Sequence, residues 1–102
     1  MKPKALSPES VKDQLKRAPD WKLLPDGKTI RREWQMKDFP AAVDLIIGIR
    51  DLAEAMDHHP DLHLTGYRRL AAELSTHSIE GLSENDFVLA AQIEGLPKSL
   101  KV

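Results

Sequence analysis

The sequence contains no cysteine. Disulfide bonds and thiolate metal sites are therefore excluded, and a reducing compartment is compatible with the chain. Aromatic residues are scarce: two Trp, two Phe and one Tyr. They are too few to build a platform for stacking single-stranded nucleic acid. Neither sign of charge dominates, since 15 basic residues face 16 acidic ones. That balance gives no general pull toward nucleic acid or an anionic membrane. No apolar run has the length of a signal sequence or a membrane span, so a cytoplasmic protein is expected. Glycine-rich phosphate loops, nucleophile elbows, internal repeats and low-complexity tracts are missing as well. With 102 residues, 41% of them hydrophobic, one domain over residues 1–102 is expected, with 1–6 and 98–102 as loose tails. A chain of this length buries roughly two-thirds of its unfolded surface, enough for one modest core.

Local signals divide the chain into seven elements. Ser7-Pro8-Glu9-Ser10 reads as a helix start, and Val11, Leu15 and Ala18 keep one apolar face until Pro19. Residues 21–24 and 29–36 read as a hairpin around the turn Pro25-Asp26-Gly27-Lys28. Ile30, Trp34 and Met36 share one face with Arg32, which must snorkel or sit at an edge. Asp38 and Pro40 open a helix over 39–57 with two apolar stripes: Phe39, Val43, Ile46 and Ile47, then Leu45, Ile49, Leu52 and Met56. A stripe that wide suits a helix buried on two sides, one of them a subunit interface, or alternatively a central core helix of a monomer. Pro60 is expected to end it. Residues 62–76 read as one long strand with a bulge near Gly66, and 78–82 as a short strand or turn. Ser83, with Asp86 three residues later, starts a last helix ended by Gly95 and Pro97. Mixed strands and helices without βαβ alternation predict an α+β domain, an antiparallel sheet with helices on one face.

Chemistry concentrates at Asp57-His58-His59-Pro60. All four histidines lie between positions 58 and 77. Glu54 and His58 are four apart, so a helix reaching its last turn puts them on one face. A carboxylate beside an imidazole fixes its tautomer and raises its basicity, which suits general acid/base work. His59 leaves the helix and points elsewhere, toward His77 at the end of the following strand. Plain surface or capping histidines are the alternative reading, and Asp86 has its own as a first-turn cap. Tyr67 suits a core as well as a site, and His63 reads as strand surface. Histidine and carboxylate also suit zinc, but no His-x3-His or His-x-His pair falls on a regular element.

The spacing is similar to the signature of the pterin-4a-carbinolamine dehydratases. It runs Glu54-x3-His58-His59-Pro60, then Tyr67, His77 and Asp86. Lys37-Asp38-Phe39, Leu74-Ser75-Thr76-His77 and Gly81-Leu82-Ser83 agree with it, so the resemblance covers Leu6 to about Glu94. It implies a four-stranded antiparallel sheet with three helices on one side, in the order α-β-β-α-β-β-α. It implies assembly, as a homodimer or homotetramer, through sheet edges and the long central helix. The reaction implied is loss of water from a 4a-hydroxy-tetrahydropterin to give the quinonoid dihydropterin. That step recycles the pterin of aromatic amino acid hydroxylases such as phenylalanine hydroxylase. No metal or organic cofactor is implied, because the pterin itself carries the reactive group. By resemblance His58, His59 and His77 do the acid/base work, and Glu54 orients His58. Asp57, His58, His59, Ser75, Thr76, His77 and Ser78 line the pterin, with Pro60, Tyr67 and Asp86 in support.

The chain also departs from the pattern. Animal members carry a tryptophan shortly after His-His-Pro, where this chain has Asp61-Leu62-His63-Leu64, and the gap before Tyr67 is the longer of two forms. The cleft mouth is therefore expected to differ. Some animal relatives also serve as dimerisation cofactors of a transcription factor. Some bacterial ones have become assembly factors, usually losing histidines. Retention of all three favours the enzyme over such a non-catalytic binding module.

Overall fold

The computed structural model describes residues 3–102. The first helix, α1 (Pro8–Lys16), begins at Ser7, whose Oγ accepts the Ser10 N–H at 3.1 Å. Strands β1 (Lys22–Leu23) and β2 (Ile30–Gln35) form the expected hairpin, with Lys22 opposite Arg31. Its turn is held by Asp26, which accepts from the Lys28 N–H and the Thr29 hydroxyl, while Gly27 takes φ 69°. Asp38 caps α2 (Phe39–Met56), accepting the Ala41 N–H at 2.9 Å.

The segment expected as one strand over 62–76 is a hairpin instead. It comprises β3 (Asp61–Thr65) and β4 (Arg69–Leu74), paired in antiparallel register from Asp61–Glu73 to Thr65–Arg69. The chain reverses because Gly66 and Tyr67 both adopt left-handed backbone, φ 55° and 57°. A tyrosine rarely does so, and only the glycine signalled the reversal. The fourth strand arises from this split. Residues 78–82 form no strand; His77–Ile79 is a 3₁₀ turn, closed by a single bridge between Thr76 and Gly81. Helix α3 (Glu84–Glu94) follows. The sheet is antiparallel throughout, in the order β1-β2-β4-β3.

Ile30 and Trp34 of β2 and Leu70, Ala72 and Leu74 of β4 bury their side chains with Leu45 and Ile49 of α2 and Leu89 and Ile93 of α3. This is the two-layer α+β arrangement, three helices against one sheet. Arg32 keeps its place beside Trp34 by stacking its guanidinium 5.0 Å from the ring centroid and bonding Glu94 at 2.8 Å. Leu96, just past the end of α3, packs on α2 at Gly48, where a Cβ would lie 3.2 Å from Leu96 Cδ1. Of the two α2 stripes, the one carrying Leu45 and Ile49 is buried with Ala42 and Ala53, whereas Phe39 is 51% and Ile47 42% exposed.

The tails are less loose than expected. Residues 1–2 lie outside the described chain, but the Leu6 N–H donates to Leu82 O at 2.9 Å and the Leu6 side chain packs on the core. At the other end, Leu100 bridges Met36, with Lys37 N–H to Ser99 O and Lys101 N–H to Gln35 O both at 2.9 Å. The tail fits there because β1 pairs only with Ile30 and Arg31, leaving the rest of that β2 edge unpaired. Backbone donors seek partners, and the tail supplies them.

Candidate active site

The site is assembled at one end of the sheet, where α2 stops, β3 starts and β4 finishes. Helix α2 stops through Asp57 rather than Pro60. Asp57 adopts φ 50° and ψ 45°, its N–H donates to Glu54 O at 3.3 Å, and the His58 N–H donates to Ala53 O at 3.0 Å. This closes the last carbonyls of the helix with a left-handed residue, and the proline merely follows. Both histidines thus lie beyond the helix, and the four-residue face relation expected of Glu54 and His58 no longer applies.

The two histidines diverge. His58 turns inward, its side chain 12% exposed, and its Nε2 lies 2.6 Å from Asp86 Oδ1. His59 turns outward, and its Nε2 lies 2.5 Å from Glu54 Oε2. Glu54 is therefore the partner of His59, not the orienter of His58; that place belongs to Asp86 on α3. A carboxylate on Nε2 holds the proton there and leaves Nδ1 as the second ring nitrogen of each histidine.

Asp86 has no exposed surface. Burying a carboxylate is costly unless its lone pairs are satisfied. Besides His58, its Oδ2 accepts the Thr76 hydroxyl at 2.7 Å and the Ser83 N–H at 2.9 Å. Thr76 Oγ1 and Ser83 Oγ are in turn 2.8 Å apart. The residue read as a helix cap is a cap, and the same carboxylate also holds His58.

The end of β4 brings the third histidine. Thr76 N–H donates to Gly81 O at 2.7 Å, and Glu80, at φ 49°, returns its N–H to His77 O at 3.1 Å. The loop between is thereby closed, and the exposed His77 is presented at its start. Among the described residues its ring bonds no other side chain.

Asp57, His58, His59, Ser75, Thr76, His77 and Ser78 all line one cleft of about 440 Å³. The resemblance implies these same seven for a pterin, and the fold brings them together. Pro3, Met56 and Asn85 line it too, and none of them was anticipated. Asn85 could have been found as the neighbour of Asp86 in the first turn of α3; Pro3 carried no signal. Glu54 reaches the cleft through His59, and Asp86 stands behind His58. Tyr67 is not there. It sits exposed in the β3–β4 turn, at the other end of a strand about 16 Å long at 3.3 Å per residue. His63 is also outside, 3.7 Å from Glu73 on the open sheet face. Another groove, about 520 Å³ between α1 and α3, holds no histidine. Among the described residues no three His, Asp or Glu side chains are grouped to hold a metal ion. No described helix is long and apolar enough to cross a membrane.

Such an arrangement offers two carboxylate-held imidazoles and a free one around a polar hollow, a setting for moving protons to and from one ligand. Comparison with known proteins places the chain in a family. A family model described as "Pterin 4 alpha carbinolamine dehydratase" matches residues 4–96. The chain is 41% identical over 95 residues to pterin-4-alpha-carbinolamine dehydratase 2, mitochondrial, of Arabidopsis thaliana, covering 91% of this chain but 51% of that one. It thus spans about half the length of that relative. A Halorhodospira halophila relative is 39% identical over 88 residues, covering 86% and 80% of the two chains. Among solved structures, a transcriptional coactivator/pterin dehydratase from Brucella melitensis superposes with TM-score 0.85 at 27% identity, over 90% of this chain and 97% of that one. A pterin dehydratase-like protein identified as a RuBisCO assembly factor in the alpha-carboxysome shares the fold, with TM-score 0.64 at 15% identity, over 78% and 92%. The chain belongs to the pterin 4 alpha carbinolamine dehydratase family.

Proposed function

We propose that the chain is a hydro-lyase that removes water from 4a-hydroxytetrahydropterin. The observation that carries this reading is the convergence of His58, His59 and His77 on one cleft. The hydroxyl oxygen at C4a takes a proton and leaves as water. The bond electrons are replaced from the ring nitrogen, which gives up its own proton, and the quinonoid dihydropterin results. One imidazole delivers the first proton and another accepts the second, each worth roughly 10²- to 10⁴-fold in rate. Asp86 and Glu54 keep His58 and His59 in one tautomer and orientation. The chemistry as proposed uses no metal or organic cofactor, and full activity after chelation is the expected result. The product returns to the pterin cycle of an aromatic amino acid hydroxylase, such as phenylalanine hydroxylase. The deciding assay is dehydration of freshly generated 4a-hydroxypterin by the purified wild type. A rate no higher than the spontaneous one would sink the proposal.

A second reading, a binding or assembly module on the same fold, draws on the Brucella structure described as a coactivator as well as a dehydratase. Tight capture of a protein partner without any dehydration would favour it. We also propose assembly of the chain into a homodimer or homotetramer. The supporting features are the edge strand β3, whose outer side no other strand covers, and the exposed Phe39 and Ile47 on α2. The place of action proposed is the cytoplasm; the Arabidopsis relative is named mitochondrial, and cell fractionation tells the two apart.

A further inference from the structure

Three residues of the cleft lie outside the seven that the sequence pointed to: Pro3, Met56 and Asn85. Only Asn85 among them has a side chain that both donates and accepts hydrogen bonds. It occupies the second position of α3, directly before Asp86. The Asp86 carboxylate bonds the Ser83 N–H at 2.9 Å and His58 at 2.6 Å. The backbone of Asn85 is thereby tied to the same first turn that holds His58. Its side chain is exposed where the cleft adjoins a second groove beside the N-terminal arm, and among the described residues its amide makes no side-chain hydrogen bond. Burial does not explain it, and neither does capping, since Ser83 is the cap.

A primary amide sets one C=O acceptor beside an N–H donor in a single plane. That pattern complements a ring edge bearing an acceptor next to a donor, as amide side chains do on nucleobases. The pyrimidinone ring of a pterin has such edges. In the proposed reaction the histidines act on the opposite, reducible ring, where the hydroxyl is lost. We propose that Asn85 is a specificity-determining residue, its amide pairing with the pyrimidinone edge of the pterin and fixing which end of the bicycle faces the histidines. This inference rests on the dehydratase reading and adds a recognition contact to it.

The test uses the full chain, with Asn85→Ala and the near-isosteric Asn85→Leu. The probe is a dihydropterin, which has no 4a hydroxyl to lose, titrated by fluorescence. Loss of a neutral hydrogen-bonding pair is expected to raise its Kd about tenfold. In the dehydration assay KM should rise in parallel, with the loss falling on KM rather than on kcat. Thermal midpoints should match the wild type, because the side chain is exposed. If the wild type binds the dihydropterin and both variants bind it equally well, Asn85 is not a recognition residue, whatever the fate of the enzyme reading. If the wild type itself binds no pterin, the function proposed above fails first, and this contact with it. A matched loss of thermal midpoint and affinity in both variants would assign Asn85 a structural role and overturn the inference.

Discussion

His58 Nε2 and Asp86 Oδ1 stand 2.6 Å apart although 28 residues separate them in the chain. Asp86 is fully buried and also satisfies Thr76 and the Ser83 backbone. Two substitutions separate its duties. Asp86→Ala removes the acceptor shared by His58, the Thr76 hydroxyl and the Ser83 N–H and should destabilise the fold by about 3 kcal/mol. Asp86→Asn keeps the shape and most hydrogen bonds but offers His58 a neutral partner. It should fold, with kcat lowered about 10- to 100-fold. Urea midpoints and dehydration rates, measured on both variants, check the separation; wild-type kcat in Asp86→Asn would remove the orienting role.

The pair could not be read from spacing alone. Helical periodicity relates Glu54 to His58, and that rule fails because Asp57 leaves the helix in left-handed backbone. The hairpin at Gly66-Tyr67 was hidden for a similar reason: half of the turn rests on a tyrosine. Both misses are single non-glycine residues in left-handed backbone, a conformation that their side chains do not announce. Elements announced by side-chain chemistry were readable, as with the caps at Ser7, Asp38 and Ser83 and the turn at Asp26-Gly27. The lining residues at 57–59 and 75–78, far apart in the chain, came from the family resemblance and not from spacing or periodicity. Pro3 was not legible, since only the docking of Leu6 on Leu82 brings the N-terminal arm across.

Glu54 and His59 make the exposed counterpart of the buried pair, with side chains 67% and 60% accessible. A surface ion pair is worth about 0 to 1 kcal/mol. Glu54→Gln should therefore leave the unfolding free energy within about 0.5 kcal/mol of wild type. Its effect should show in the rate, as a severalfold loss that added salt mimics in the parent protein. A loss of rate independent of ionic strength would argue against this pairing.

Asp57 should act through its backbone as well as its side chain. Asp and Asn tolerate left-handed φ far better than β-branched residues do. Asp57→Gly should keep the helix end, while Asp57→Val should destabilise by about 1 to 3 kcal/mol and displace both histidines. The order Gly above Val, in unfolding midpoint and in activity, is the expected result. Equal activity in the two variants would mean that the turn has no part in placing His58 and His59.

Gly48 gives a test of packing between α2 and the segment that follows α3. A Cβ there would meet Leu96 Cδ1 at 3.2 Å, the movable end of a half-buried side chain. Ala is favoured over Gly in a helix interior by about 1 kcal/mol, and the crowding opposes that gain. Gly48→Ala alone should be close to neutral. In a Leu96→Ala background, where the obstacle is gone, the same change should stabilise by about 1 kcal/mol. The difference between the two backgrounds, from urea unfolding of the four chains, is the coupling energy.

The proposed assembly can be tested on α2. Phe39 and Ile47 are the exposed members of their stripe, while Ala42, Leu45, Ile49 and Ala53 face the core. A stable subunit interface needs more than about 1,000 Å² in total and is most sensitive at its desolvated centre. A glutamate at position 47 would place an unpaired charge there but rest harmlessly on the surface of a monomer. Sedimentation of the wild type should show a species heavier than the 11.5 kDa chain, and Ile47→Glu should shift the population toward lower mass without unfolding it. A wild type that sediments as a single 11.5 kDa species would refute assembly altogether. A variant that keeps the wild-type mass would move the interface to the β3 edge, where pairing is by backbone and indifferent to position 47.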